Sequence, residues 1–296
     1  MRVARAVFEL ERVPRAVAVG SFDGVHLGHR RVLQAAVDAG VRSTVVTFYP
    51  HPRTVLGNRV DLLATLERRL ELLEEAGVDE TLVVEFTLEL AEYEPEEFAE
   101  RILRPIGTGV VVAGETFRFG RARRGDLALL EGLGFDVRRV PLLEGISSTR
   151  IRQLLQAGEI EQAARLLGRP PEVEGVVVSG DERGGTLGFP TANLRVDPEL
   201  LVPEYGIYAG ATAGHRAAVS IGVNPHYGGT ERRVEVYLLD FEGDLYGKRL
   251  VVELWERLRD ERAFASEAEL VEQIAEDVER TRLARPPVLP SNEGKS

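Results

Sequence analysis

The 296-residue sequence predicts a parallel α/β domain followed by a small antiparallel β-barrel that ends in one helix. Three observations lead there. In the first half, near-continuous apolar runs alternate with segments of helical spacing, the pattern of a parallel sheet covered on both faces. After Gly168-Arg169-Pro170-Pro171 the runs turn to partial alternation with short turns between most of them, as in a small barrel. The chain is also long enough to bury two cores. The expected division is 1–168, 169–285 and a Pro-rich, polar tail over 286–296 predicted to be disordered.

Composition removes several function classes. With no cysteine there is neither a disulfide framework nor a thiolate nucleophile. The net charge of −11, with neither half basic, argues against a nucleic-acid partner. No apolar run approaches the ~20 residues of a membrane span, and the first residues lack a signal-peptide core. No membrane partner and a cytoplasmic location are therefore expected, and oligomeric state has no signal.

In order, the first-half strands are expected at Ala16–Val19, Ser43–Phe48, Thr81–Phe86, Gly109–Ala113 and Phe135–Val140. The helices between them are expected at His29–Ala39, Leu66–Ala76, Pro95–Ile106 and Asp126–Leu133. The first strand runs into Gly20-Ser21-Phe22-Asp23-Gly24-Val25-His26-Leu27-Gly28-His29 and then into a helix. Free N–H groups and the helix dipole make such a strand–turn–helix junction an anion site. His26 and His29 lie on one side of the first helical turn, where both can donate to one phosphate. Gly28 lets a nucleotide approach, and Gly20, Phe22 and Gly24 complete the candidate ATP cradle. A turn with two incidental histidines is the plainer alternative. This H-x-G-H after a strand resembles the signature of the Rossmann-like nucleotidyltransferase superfamily.

Further along, Thr47-Phe48-Tyr49-Pro50-His51-Pro52 leaves the second strand on the same edge, and a rigid proline turn explains it equally well. The Glu-rich stretch Glu89–Glu100 fits a solvated helix face. Arg118, Arg121, Arg123 and Arg124 form a basic loop, open between solvent exposure and polyphosphate contact. Ile146-Ser147-Ser148-Thr149-Arg150-Ile151-Arg152 places hydroxyls at a helix start with an arginine just inside. Paired with H-x-G-H, it matches the second signature, I-S-S-T-x-x-R, of the same superfamily. That match makes Ser148 and Thr149 neutral donors and Arg152 the cation for the triphosphate.

The barrel strands are expected at Val173–Ser179, Gly206–Thr212, Arg216–Ile221, Arg233–Asp240 and Arg249–Leu258, with a closing helix at Glu267–Arg280. Between the first two lies a glycine-rich segment. Its Gly180, Gly184 and Gly188 could wrap phosphates with backbone N–H groups. A hairpin loop is the plainer alternative. No G-x-x-x-x-G-K-[ST] occurs, which excludes a P-loop kinase.

Five motifs then fall in order: R-G-x-x-L-G-F-P-T-A-N, G-I-Y-A, S-I-G-x-N-P, V-E-V-Y-L-L-D-F and D-L-Y-G. With them the chain from about Arg15 to Thr281 resembles the bacterial bifunctional riboflavin kinase/FMN adenylyltransferase family, also called FAD synthetases. The resemblance implies ATP, riboflavin, FMN and FAD as substrates and products, with Mg²⁺ accompanying ATP. Flavins are then substrate and product, and no bound redox cofactor is required. Carried over by position, Thr191 and Asn193 hold Mg²⁺ and the ATP phosphates, Glu235 is the catalytic base, and Gly180–Gly188 closes over the nucleotide. Alternation alone leaves Glu235 open to being an ordinary outward-facing strand residue. Thr116 departs from the family's Asn/Asp in G-E-[N/D]-F-x-F-G, and Asn224-Pro225-His226-Tyr227-Gly228-Gly229 departs from R/N-P-T-F-G-G. Two other readings are an adenylyltransferase whose barrel only binds, and a nucleotide-responsive RNA-binding protein.

Overall fold

The computed structural model describes residues 1–179, 189–223 and 232–290. They fall into two compact units, Met1–Ser148 and Thr149–Ser296.

The first unit is built on a six-stranded sheet of β1 (Arg2–Ala4), β2 (Arg15–Val19), β3 (Arg42–Tyr49), β4 (Glu80–Glu85), β5 (Thr108–Gly114) and β6 (Asp136–Val140). The spatial order is β1-β4-β3-β2-β5-β6, and every pairing is parallel. All five residues of β2 are buried, because it lies between β3 and β5 with a core on each face. Its pleat sorts side chains between those cores. Val17 and Val19 join Phe98, Ile102 and Leu103 on one face, while Ala16 and Ala18 meet Leu33, Leu72 and Leu73 on the other. The small alanines make room for the two helices that supply those leucines, α1 (Leu27–Val37) and α3 (Leu66–Glu75).

Between these helices lies the single turn α2 (Pro52–Val55), and α4 (Leu88–Ala91) follows β4. The helix expected over Pro95–Ile106 divides into α5 (Pro95–Phe98) and a wider π turn, Ala99–Leu103. Then comes α6 (Leu127–Gly132). Strand order reverses beside β2, so the carboxyl ends of β2 and β5 flank a topological switch point, where ligands bind in sheets of this kind. At the opposite end of β2, Arg15 is fully buried and its Nε donates to Glu80 at 2.9 Å. β1 was not expected; three residues are too short to show a period.

The second unit takes in most of α7 (Ser148–Gln156), then α8 (Ile160–Leu167), which Gly168 ends in a left-handed cap. Helix α8 packs on the barrel, so the compact second unit begins before Gly168. The barrel comprises β7 (Glu172–Val178), β8 (Ala192–Val196), β9 (Gly206–Thr212), β10 (His215–Val223), β11 (Arg232–Leu238) and β12 (Arg249–Arg259). It closes in the order β10-β11-β8-β7-β12-β9, antiparallel between the paired neighbours. Val219, Ile221, Val234, Val236, Val252 and Leu254 fill its interior. The strand missing from the expected set is β8, where only Leu194 of Ala192–Val196 is buried. Its polar outer residues disguise it. The closing helix is α9 (Glu267–Leu283), with the Ser266 hydroxyl as its cap. Beyond it, residues 285–290 form neither helix nor strand. The rest of the tail, 291–296, lies outside the described residues.

Candidate active sites

The first site grows out of the turn between β2 and α1. Gly20 N–H extends the sheet by donating to the Val46 carbonyl at 3.1 Å. The chain then turns through left-handed backbone at Phe22, Gly24 and Val25 (φ 48°, 79° and 39°). A Cβ on Gly24 would stand 2.8 Å from a Leu63 methyl, so this glycine is required both by conformation and by space. Gly24→Ala is expected to cost about 1–3 kcal/mol, read as a lower urea midpoint for the first unit together with slower turnover there.

Three side chains hold the turn from outside. Arg69 on α3 and the Thr47 hydroxyl on β3 both donate to the Ser21 carbonyl, at 2.6 and 3.2 Å. The Asp23 carboxylate accepts from Leu63 N–H at 2.9 Å, and the Ser148 hydroxyl donates to the Asp23 carbonyl at 3.1 Å.

His26 is the N-cap of α1: its Nδ1 accepts from the His29 backbone N–H at 3.3 Å. An imidazole that accepts at Nδ1 carries its proton on Nε2. Nε2 is therefore the nitrogen of His26 left to donate to a phosphate. The rings of His26 and His29 are stacked, centroids 3.6 Å apart, with the Phe22 ring edge-on to His29 at 5.3 Å. A Cβ on Gly28 would lie 3.2 Å from the His26 ring, and one on Gly20 would lie 3.2 Å from Phe22. Both glycines thus accommodate side chains of the turn itself. Burial, then His26, then the Arg69 charge hold His29 well below the usual histidine range, so its imidazole is neutral near pH 7. The His29 Nδ1 is buried without a hydrogen-bond partner.

Thr149 and Arg152 follow Ser148 along α7, within the second unit. His51 caps α2 through Nδ1, accepting from Arg53 N–H at 3.2 Å, so P-H-P has a local structural role. In the basic loop, Arg118 pairs with Asp126 at 3.2 Å, Arg121 with Glu92 at 3.0 Å, and Arg124 with Glu94. The Glu-rich stretch supplies two of these three carboxylate residues, so the loop's charge is largely neutralised within the protein. Thr116 is exposed.

The second site lies on the outside of the barrel. Glu235 pairs in register with Asn193 of β8 on one side and Ser220 of β10 on the other. Val234 and Val236 point inward and are buried, while Glu235, Asn193 and Thr191 are half-buried. Alternation therefore turns Glu235 outward, onto a face that already carries Asn193. Arg233, two residues away on the same face, donates to Glu235 Oε1 at 3.0 Å. Phe189 meets Tyr237 edge-on at 5.5 Å. Glu261, beyond β12, accepts from Val223 N–H, and burial followed by the Glu235 charge raises its carboxyl above the usual range. That carboxylate fills the space beside Gly222, where a Cβ would be 2.2 Å from Oε1. The expected phosphate-wrapping glycines Gly180, Gly184 and Gly188, and Asn224–Gly229, lie outside the described residues.

Sequence reasoning missed Arg69, Arg233 and Glu261. Arg69 had a visible sign, standing in the apolar stripe Leu66-Arg69-Leu73 of α3. Arg233 was readable from its two-residue spacing to Glu235. Glu261 had none, because only the tertiary fold brings it to Gly222.

Residues 9–152 match the family described as FAD synthetase, and residues 167–284 match riboflavin kinase. The chain is similar to proteins named bifunctional riboflavin kinase/FMN adenylyltransferase. The one from Listeria monocytogenes is 37% identical over 91% of this chain and 92% of its own. That from Bacillus subtilis is 36% identical over 90% and 91%, and that from Escherichia coli K12 is 35% identical over 94% and 96%. A solved structure described as a macrolide-efflux protein from Streptococcus pneumoniae has the same fold. Its TM-score is 0.85 at 31% identity, over 95% of this chain and 98% of that one. No helix among the described residues is long and apolar enough to cross a membrane.

Proposed function

The chain belongs to the bifunctional riboflavin kinase/FMN adenylyltransferase family, and from that premise we propose how its residues divide two ATP-dependent reactions. It phosphorylates riboflavin to FMN, releasing ADP, and adenylylates FMN to FAD, releasing pyrophosphate. Residues 1–168 serve the second reaction, 169–285 the first, and 286–296 neither.

In FAD formation an FMN phosphate oxygen attacks the α-phosphorus of ATP as the bond to pyrophosphate breaks. No protein nucleophile is needed, so catalysis is positioning and charge stabilisation. Gly20, Phe22, Gly24 and Gly28 shape the turn. Nε2 of His26 and the neutral His29 donate to phosphate oxygens. Ser148 and Thr149 add hydroxyl donors, and Arg152 supplies the cation.

In FMN formation the ribityl 5′-hydroxyl attacks the γ-phosphorus of ATP, ADP leaves, and the hydroxyl proton passes to Glu235. Thr191 and Asn193 offer a hydroxyl and a carboxamide beside that carboxylate. This oxygen-only donor set suits Mg²⁺, which keeps waters and phosphate oxygens as its other ligands. Bound there, the ion offsets charge on the phosphates. Gly180, Gly184 and Gly188 would cover them.

The observation that carries the assignment is the register pairing of Asn193 with Glu235 on the barrel's outer face. The acidic chain works in the cytoplasm on small molecules, without nucleic acid. Incubating the pure protein with riboflavin, ATP and Mg²⁺ should give FMN first and FAD later on chromatography, and both should stop with excess chelator. Accumulation of FMN without FAD, or no FMN at all, would remove one activity or the other.

A further inference from the structure

We propose that Arg69, a residue of α3 outside every motif above, is a positioning residue for adenylyl transfer: it holds the Ser21 carbonyl behind the His26–His29 turn and sets a permanent positive charge next to His29. The inference rests on the adenylyltransferase role proposed for this site.

Arg69 is 3% exposed, and burying a cation of that size is unfavourable unless its surroundings compensate it. Its Nη1 donates to the Ser21 carbonyl at 2.6 Å, and its Nε is buried without a hydrogen-bond partner. Burial lowers its proton affinity from the usual guanidinium range, and the Asp23 carboxylate of the turn opposes that shift in part. An α3 residue that only packed against the sheet would be served by leucine, as at Leu72 and Leu73.

Two consequences follow from where the guanidinium lies. The first is conformational. A turn that passes through Phe22, Gly24 and Val25 in left-handed backbone persists only when its surroundings over-determine it. With Ser21's carbonyl held from behind by Arg69 and Thr47, the chain enters that turn in one orientation. The second is electrostatic. His29 faces His26, stacked on it from the same turn, and Arg69 from α3. Each disfavours an imidazolium there, adding to the effect of burial. His29 can then serve as a neutral donor over the working pH range, while the charge met by an incoming polyphosphate belongs to a group that does not titrate.

Three variants of the full chain separate these effects. The readouts are the pH dependence of kcat/KM for FMN adenylylation and an NMR titration of the His29 ring. In Arg69→Met the acid limb and the His29 titration should both move up toward the ordinary histidine range, and kcat should fall on the order of 10- to 100-fold. Thr47→Val removes a hydrogen bond from the same carbonyl without removing charge, so it should slow turnover and leave the limb in place. Arg69→Lys keeps the charge and should keep the limb while losing part of the rate. Should Arg69→Met not fold, Arg69→Lys decides: an unmoved limb with a lower rate supports the proposal, and an upward shift overturns it. An unmoved His29 titration in folded Arg69→Met, or an equal limb shift in Thr47→Val, also overturns it. Wild-type protein that makes no FAD would sink the adenylyltransferase role instead, and the His29 titration would still judge Arg69.

Discussion

Replacing Glu235 by alanine is expected to cut FMN formation from riboflavin by about 10²- to 10⁴-fold, the usual worth of a general base, with adenylylation of supplied FMN unchanged. The loss should be chemical and not structural. Glu235 and its partner Arg233 are each about one-third exposed in their side chains (30% and 31%). An ion pair that solvated contributes about 0–1 kcal/mol, so the melting temperature should hardly move. The barrel interior is untouched, because the neighbours that fill it are Val234 and Val236. Removing the carboxylate also relieves Glu261, whose carboxyl is raised in part by the Glu235 charge. Glu235→Gln keeps the shape and a hydrogen-bond acceptor for Arg233 but has no basic oxygen, so it should lose as much. Chromatography of flavin products from riboflavin and, separately, from FMN makes the test. A Glu235→Gln enzyme that still makes FMN at the wild-type rate would return Glu235 to the role of an outward-facing strand residue.

Much of this architecture was legible because the strands are long and uniformly apolar. Ala16–Val19 reads as a central strand, since no polar residue interrupts it, and β2 is buried throughout. The short or half-polar strands were not legible. β1 has three residues, and β8 buries only Leu194. At the first site the turn and its histidines were visible, but their division of labour was not. That His26 spends Nδ1 on its own helix, and that Gly28 makes room for the His26 ring, are facts of side-chain direction that spacing does not encode. The arginine loop shows the same limit in reverse. Its charge was conspicuous in sequence, whereas two of the three carboxylates that neutralise it come from a stretch about thirty residues earlier, as Glu94 does for Arg124. Arg69 stood out in the apolar stripe of its helix, but the Ser21 carbonyl it holds could not be read from that position.

Replacing His29 by alanine is expected to lower FAD formation by about 10²- to 10³-fold, the scale for removing one donor to a developing oxyanion, while FMN still forms from riboflavin. The variant separates chemistry from folding because the α1 cap uses the backbone N–H of residue 29 and the ring of His26. Alanine keeps that N–H, so the helix should still start at Leu27. What goes is the ring stacked on His26, with its buried, unpartnered Nδ1. The pH dependence of stability gives an independent check on the neutral state of that ring. Its proton affinity is depressed in the folded protein, so below about pH 6.5 the unfolded chain binds a proton that the folded one refuses. By linkage, wild-type stability should then fall as pH drops through 6.5 toward the folded value. In His29→Ala that component should be absent, and the two urea-midpoint curves should approach each other on the acid side. Parallel curves would mean that His29 takes up its proton alike in the folded and unfolded chain, and the depressed proton affinity on which its role as a neutral donor rests would be lost.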